Sequence, residues 1–205
     1  MFDSFPSGTF DRLPRPAYHE DFYRVLKSGV GSQDKLERGQ HFQERGFASW
    51  EEFAAGRWDE ALELAGERRA DYARQIAEAA GHGVMQRRLR VVEFPVTPYV
   101  QWELHVLRVR VEVGDHIRVL DARTIADVER TREVPEVVVL GDVVMYEVQY
   151  DHDGNADGAK RYRDPALIAE TRAGFEALYA RAERFGDFFE REIAPLPPPV
   201  VTDPA

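Results

Sequence analysis

Between Arg87 and Asp121 the chain passes through a strand pattern, a helix start, a terminal glycine and a second strand, all within 35 residues. Leu89, Val91 and Val92 interleave with Arg88 and Arg90, which reads as a β-strand with one arginine-rich face. Thr97-Pro98 then starts a helix, because threonine can cap and a proline at the first helical position gives up no needed hydrogen bond. Two patterns compete in the residues that follow. Val100, Leu104, Leu107 and Val111 have helical spacing, whereas Val109 to Val113 alternates like a strand. The threonine cap and Gly114 agree on a helix between them. Ile117 to Leu120 is the next short strand. A strand, a helix and a strand in succession point to an α/β (α+β) fold with a mixed sheet covered by helices.

The flanks fill in this frame. Before Met85 the chain reads as helical: Tyr18–Ser28 ended by Gly29, a polar helix over Ser32–Phe42, and a helix opened by the capping-box spacing of Ser49 and Glu52. Trp58, Leu62, Ala65, Tyr72 and Ile76 share one face of a helix ending near Gly81, with Gly56 and Gly66 placed to bend or split it. After the central segment come a helical turn over Thr124–Thr131, a fully buried strand Val137–Leu140, a strand Val143–Tyr150, a polar turn Asp151–Gly158 and a short strand near Arg161–Arg163. Asp164-Pro165 caps a long C-terminal amphipathic helix, whose stripe runs Ile168, Thr171, Phe175, Leu178, Ala182, Phe185 and Phe189. With 205 residues the chain suits one core: residues 1–194 as a single unit, helical over 1–84 and sheet-plus-helix over 85–194, with a proline-rich tail over 195–205.

Composition closes several chemistries. With no cysteine there is neither a disulfide nor a thiolate nucleophile or metal ligand. No apolar run reaches the roughly 18 residues of a membrane span, so a cytoplasmic protein away from membranes is expected. A net charge of −10 opposes a phosphate backbone, so no direct nucleic-acid binding is expected. The charge is uneven, however: residues 86–123 hold seven arginines against five acids, which leaves room for a small anionic ligand there.

Candidate sites follow. Asp153, Asn155, Asp157, Gly158 and Asp164 have the spacing of a calcium loop, but Lys160 occupies a normally apolar position and no helix enters the loop, so a hairpin turn is the simpler reading. His116, Arg118 and Asp121 resemble a degraded phospholipase D signature that lacks its lysine, and are read as structural. No metal site and no cofactor is assigned. The remaining constellation is Arg88, Arg90, Tyr99, Trp102, Glu103 and His105, whose aromatic, carboxylate and guanidinium groups are the fittings of a small-ligand pocket. Its alternative is that Trp102 is core and Glu103 pairs with an arginine. Read as a pocket, alanine at Trp102 or Arg90 should abolish capture of a ligand or partner and leave the fold largely intact.

The same residues carry a resemblance. Arg88-Leu89-Arg90-Val91-Val92, Pro95-Val96-Thr97-Pro98-Tyr99, Trp102-Glu103, Gly114-Asp115-His116-Ile117-Arg118, Tyr150-Asp151 with Gly154, and the Asp164-Pro165 helix resemble an uncharacterised actinobacterial family, often encoded beside helix-turn-helix regulators. The resemblance covers Ser49 to Phe189. The sheet and last helix are also similar to phospholipase D-like sensor domains that have lost their catalytic residues. The resemblance implies no established chemistry; the lack of a catalytic constellation together with the polar-aromatic cluster points to a non-enzymatic regulatory or accessory protein, sensing a small ligand or binding a partner such as a helix-turn-helix regulator. Two other functions fit the residues: an enzyme using Tyr99, Glu103 or His105 for proton transfer, or a structural interaction module.

Overall fold

The computed structural model describes Phe2 and residues 9–201. In chain order the elements are β1 (Phe10–Pro14), α1 (Arg15–Leu26), β2 (Ser32–Glu37), α2 (Ala48–Ala54), α3 (Trp58–Glu67), α4 (Arg69–Gly81), β3 (Met85–Val92), α5 (Pro98–Glu112) and β4 (His116–Asp121). A 3-10 turn (Ala122–Ile125), β5 (Val137–Leu140), β6 (Val144–Tyr150), β7 (Ala156–Tyr162), α6 (Pro165–Arg181), β8 (Glu183–Arg184), α7 (Phe185–Phe188) and a π-helical turn (Phe189–Ile193) complete the fold. The eight strands form one mixed sheet in the order β1-β7-β6-β5-β2-β3-β4-β8. Among the described strands only the β2–β3 and β3–β4 pairs are parallel. Helix α5 makes the long crossover that joins parallel β3 to β4, as such a connection requires.

The sheet is covered on both faces. On one face Leu36, Leu89, Val91, Val137, Val139 and Met145 pack against Ile168, Phe175 and Leu178 of α6. The other face has two separate helical covers. Val138, Leu140 and Tyr146 lie under Val25 and Leu26 of α1 and Ala79 of α4, while Val92, Ile117 and Val119 lie under α5, backed by α2, α3 and the C-terminal aromatic residues. Between those covers the middle strands β2 and β3 carry Gln33, Lys35, Gln86 and Arg88 on the same face.

Several sequence expectations need correction. The segment Ser32–Glu37 is a central strand and not a polar helix, so the first 84 residues supply two strands as well as helices. Its charges survive in the sheet because β3 neutralises them: Arg87 binds Asp34 at 2.7 Å and Arg88 binds Glu37 at 2.6 Å. Pairing between strands outweighs local helix propensity here. The Ser49 capping box does not form. Helix α2 begins at Ala48, and the buried Ser49 hydroxyl donates instead to the Ala61 carbonyl at 2.7 Å. The helix expected through Ile76 is two helices that meet at Arg68, two residues past Gly66.

The C-terminal stripe is buried as its spacing implies, but not as one helix. Ala182 turns extended, with φ −77° and ψ 144°, and Glu183–Arg184 adds a short strand beside β4. The chain thereby rounds the sheet edge. Ile168 and Phe175 serve the α6 core, and Phe185 and Phe189 serve the core on the opposite face. The helix start at Thr97-Pro98 stands as read: the Thr97 hydroxyl accepts from the Val100 amide at 3.2 Å, and α5 stays helical to Glu112 before Gly114, where φ is 105°. The first part of the proline-rich tail is tethered by Gln101, whose side chain donates to the Pro197 carbonyl at 2.9 Å.

Candidate functional site

The six residues singled out on β3 and α5 divide into three settings. Arg90 is fully buried and its Nε donates to Glu103 Oε2 at 2.7 Å. A second nitrogen, Nη1, donates to the Val91 carbonyl at 2.9 Å, and Nη2 has no partner among the described residues. Burial pushes the Glu103 carboxyl up and outweighs the attraction of Arg90, which also lies beside Glu37. Tyr99, one turn before Glu103, directs its hydroxyl to Glu44 at 3.1 Å.

Trp102 and His105 point elsewhere on α5. The Trp102 ring stacks on Phe53 with centroids 5.4 Å apart, and its Nε1 donates to Ser49 at 3.0 Å. His105 sits edge-on to Trp58 and Phe189, and burial lowers its pKa to about 4, so it is neutral near neutral pH. The two residues are packing groups. Alanine at Trp102 or Arg90 would therefore damage the core, which corrects the expectation that the fold would tolerate those changes.

Of the six, Arg88 lines an open cleft. This cleft, about 370 Å³, fills the gap between the two helical covers. Its floor is Gln33, Lys35, Gln86, Arg88 and Val138, and its walls include Tyr18 and Phe22 of α1, Phe42, and Tyr150. Arg15 and Arg110 stand at its margins. Phe42 stacks on Tyr150 with centroids 4.5 Å apart. Arg88 and Lys35 both reach the buried Glu37, whose carboxyl is held low: burial opposes ionisation, but Arg88, Lys35 and Arg90 together outweigh it. Glu44 is the contrasting group, raised by burial despite the nearby lysine and the Tyr99 hydroxyl. Four cationic side chains thus line the cleft with Glu44 and Glu78, and three of the four are already paired, Lys35 and Arg88 with Glu37 and Arg110 with Asp115.

Sequence reasoning reached Arg88 but missed its neighbours. Lys35 and Gln33 fall in the segment read as a helix, and Tyr18 and Phe22 belong to a short helix without a distinctive motif. The usable signal was alternation over Gln33, Lys35 and Glu37, which places one side chain of each kind on a common face.

The other candidates have structural employment. The hairpin reading of residues 153–164 fits the β6–β7 pair, and Asp151 organises its turn by accepting from the Asp153 and Asn155 amides, each at 2.9 Å. Asp157 pairs with Arg12, and Asp164 caps α6 through the Ala166 amide. His116 opens β4, Arg118 donates to the Tyr179 carbonyl, and Asp121 pairs with Arg123. No helix among the described residues is long and apolar enough to cross a membrane.

A mixed sheet covered by helices, with a polar, aromatic-walled cleft over its two central parallel strands, defines an α/β protein. The chain belongs to the family described as a domain of unknown function (DUF6879), which matches residues 20–190. No curated protein matches it. Among solved structures, it is similar to TrmBL2, an archaeal chromatin protein reported to show a novel mode of DNA binding, with 11% identity and a TM-score of 0.45. That alignment covers 87% of this chain and 55% of the other, so this chain spans about half the length of that protein. A likeness of this size carries no argument about DNA.

Proposed function

We propose that this protein is a non-enzymatic regulatory or accessory module that holds a small anionic ligand in the cleft between α1, α4 and the β2–β3 floor. The observation that carries the reading is the lining itself: Arg15, Lys35, Arg88 and Arg110, with four glutamines and against Glu44 and Glu78, line a concavity walled by aromatic rings. Small-molecule sites combine apolar walls with placed polar groups, and this lining has both, with the polar share larger than usual. The volume, about 370 Å³, lies at the small end of such sites.

The groups that proton transfer would need are engaged elsewhere. Glu103 is paired with Arg90, Tyr99 with Glu44, and His105 is set between two aromatic rings. This supports a binding role over catalysis at those residues. In the same reading the protein works in the cytoplasm, away from membranes and without direct contact with nucleic acid, and a helix-turn-helix regulator is the partner that receives the ligand signal. The overall charge of −10 supports that separation from nucleic acid.

Isothermal titration with inorganic phosphate, benzoate and adenosine monophosphate tests the reading. At least one anion should bind saturably, and Arg15→Ala and Arg88→Lys should each weaken it, the latter by about tenfold, because the planar fork of donors is lost. Absence of saturable binding by any of these anions would contradict it.

A further inference from the structure

We propose that the cleft selects an aryl carboxylate that carries a hydrogen-bond donor on the far side of its ring, as in a hydroxybenzoate. This rests on the cleft being a small-anion site and names the chemistry of its ligand. The argument starts from the floor, which is ruled into rows by the strand register. Gln33 lies opposite Gln86, and two residues further on, on the same face, Lys35 lies opposite Arg88. Two strand residues advance about 6.6 Å, so an amide row and a cation row stand that far apart.

Each row has unused hydrogen-bonding capacity of one kind. Gln86 Nε2 donates to Gln33 Oε1 at 2.8 Å, and Gln86 Oε1 is left buried without a partner among the described residues. A buried acceptor without a donor is costly, so a ligand O–H or N–H that turns the Gln86 amide enough to reach it is favoured. In the second row Arg88 uses one of its five N–H donors on Glu37, and Lys35 one of its three. The remaining donors suit a carboxylate, which accepts from a guanidinium in matching planar geometry.

The spacer between those two ends must be flat and apolar. Tyr18, Phe22, Phe42 and Tyr150 surround the cleft, with Val138 of β5 and Val148 of β6 also in its lining. Rings of this kind stack offset or edge-on against an aromatic face. A benzene ring substituted at opposite positions sets a hydroxyl and a carboxylate at about one strand repeat, so a single ring meets both rows. Burial raises the Glu44 carboxyl, which also lines the cleft.

The test is isothermal titration of the full chain with 4-hydroxybenzoate, benzoate, 4-hydroxybenzyl alcohol and inorganic phosphate, using wild type, Gln86→Leu and Arg88→Lys, each checked for folding by circular dichroism. In wild type, 4-hydroxybenzoate should bind about tenfold more tightly than benzoate, the difference that one hydrogen bond to a buried acceptor supplies. Gln86→Leu should erase that preference and keep benzoate binding, while Arg88→Lys should weaken both acids and leave the alcohol unchanged. Equal binding of the two acids to wild type, or a preference that persists in Gln86→Leu, would overturn the assignment. If phosphate binds and is weakened by Arg88→Lys while neither aryl acid binds, the anion site stands and the aryl class is wrong. If no probe binds, both readings fall.

Discussion

Arg90 of β3, with no exposed surface, donates through Nε to Glu103 of α5 at 2.7 Å. This bond ties the strand to the helix that crosses over it. It accounts for the most conspicuous arginine of the central segment as part of the framework and not as a ligand contact. The pair also backs Glu37, whose main-chain carbonyl lies 3.5 Å from Arg90 Nη1, and Glu37 in turn orients Arg88 in the cleft.

Removing one member of the buried pair should therefore be worse than removing both. Arg90→Met alone leaves Glu103 without its counter-charge and should cost about 3–5 kcal/mol, whereas the double change Arg90→Met, Glu103→Leu should be far milder. Urea unfolding monitored by tryptophan fluorescence compares the two. Equal destabilisation would show that the pair does not act as a unit.

Trp102→Ala should destabilise by about 3–5 kcal/mol, since it opens a cavity against Phe53 and leaves the Ser49 hydroxyl without its donor. Trp102→Phe should recover much of that loss. Thermal unfolding of the two variants provides the comparison, and a wild-type melting temperature in Trp102→Ala would contradict a core role.

Acid should release α1. Burial favours protonation of Asp21, but hydrogen bonds from Arg24, Tyr146 and Arg161 prevail and lower its pKa to about 2 from an ordinary 3.8. A depressed carboxylate contributes stability that is present above pH 3.8 and lost as pH falls through about 2. Asp21→Asn should flatten the stability profile in that window, as followed by chemical denaturation at stepped pH. Because α1 walls the cleft, the variant should also bind anions less tightly at neutral pH.

Gly141→Ala should be destabilising by about 1–3 kcal/mol. Gly141 adopts φ 52° after β5, and a Cβ there would lie 2.2 Å from the Val30 carbonyl oxygen. By contrast, Gly66→Ala meets no atom within 4 Å inside α3 and should be neutral or mildly stabilising. Melting temperatures of both variants distinguish local strain from a general intolerance of substitution.

Much of the fold was legible where local signals agreed. Thr97-Pro98 and Gly114 bracket α5, the run Val137–Leu140 forms a buried strand, and Asp164-Pro165 opens α6. Segments whose structure depends on distant partners were not legible. Ser-Gln-Asp-Lys-Leu-Glu becomes a strand only because Arg87 and Arg88 stand beside it, and the stripe after Arg181 breaks only because the sheet edge must be rounded. The candidate site followed the same rule. Arg88, Arg90, Tyr99, Trp102, Glu103 and His105 are close in sequence, but β3 and α5 send them to different surroundings, and among them Arg88 lines the cleft. The residues that join Arg88 there come from β2 and α1, more than 50 positions away in the case of Lys35.

The most direct measurement is a titration of isotope-labelled protein followed by NMR, reading the side-chain amides of Gln33 and Gln86 and the Arg88 Nε–H while 4-hydroxybenzoate or phosphate is added. The account expects saturable shifts confined to these groups and to the facing backbone of α1 and β6. Shifts that do not saturate, or that centre on the cavity beneath the proline-rich tail around Phe94 and Leu196, would contradict it.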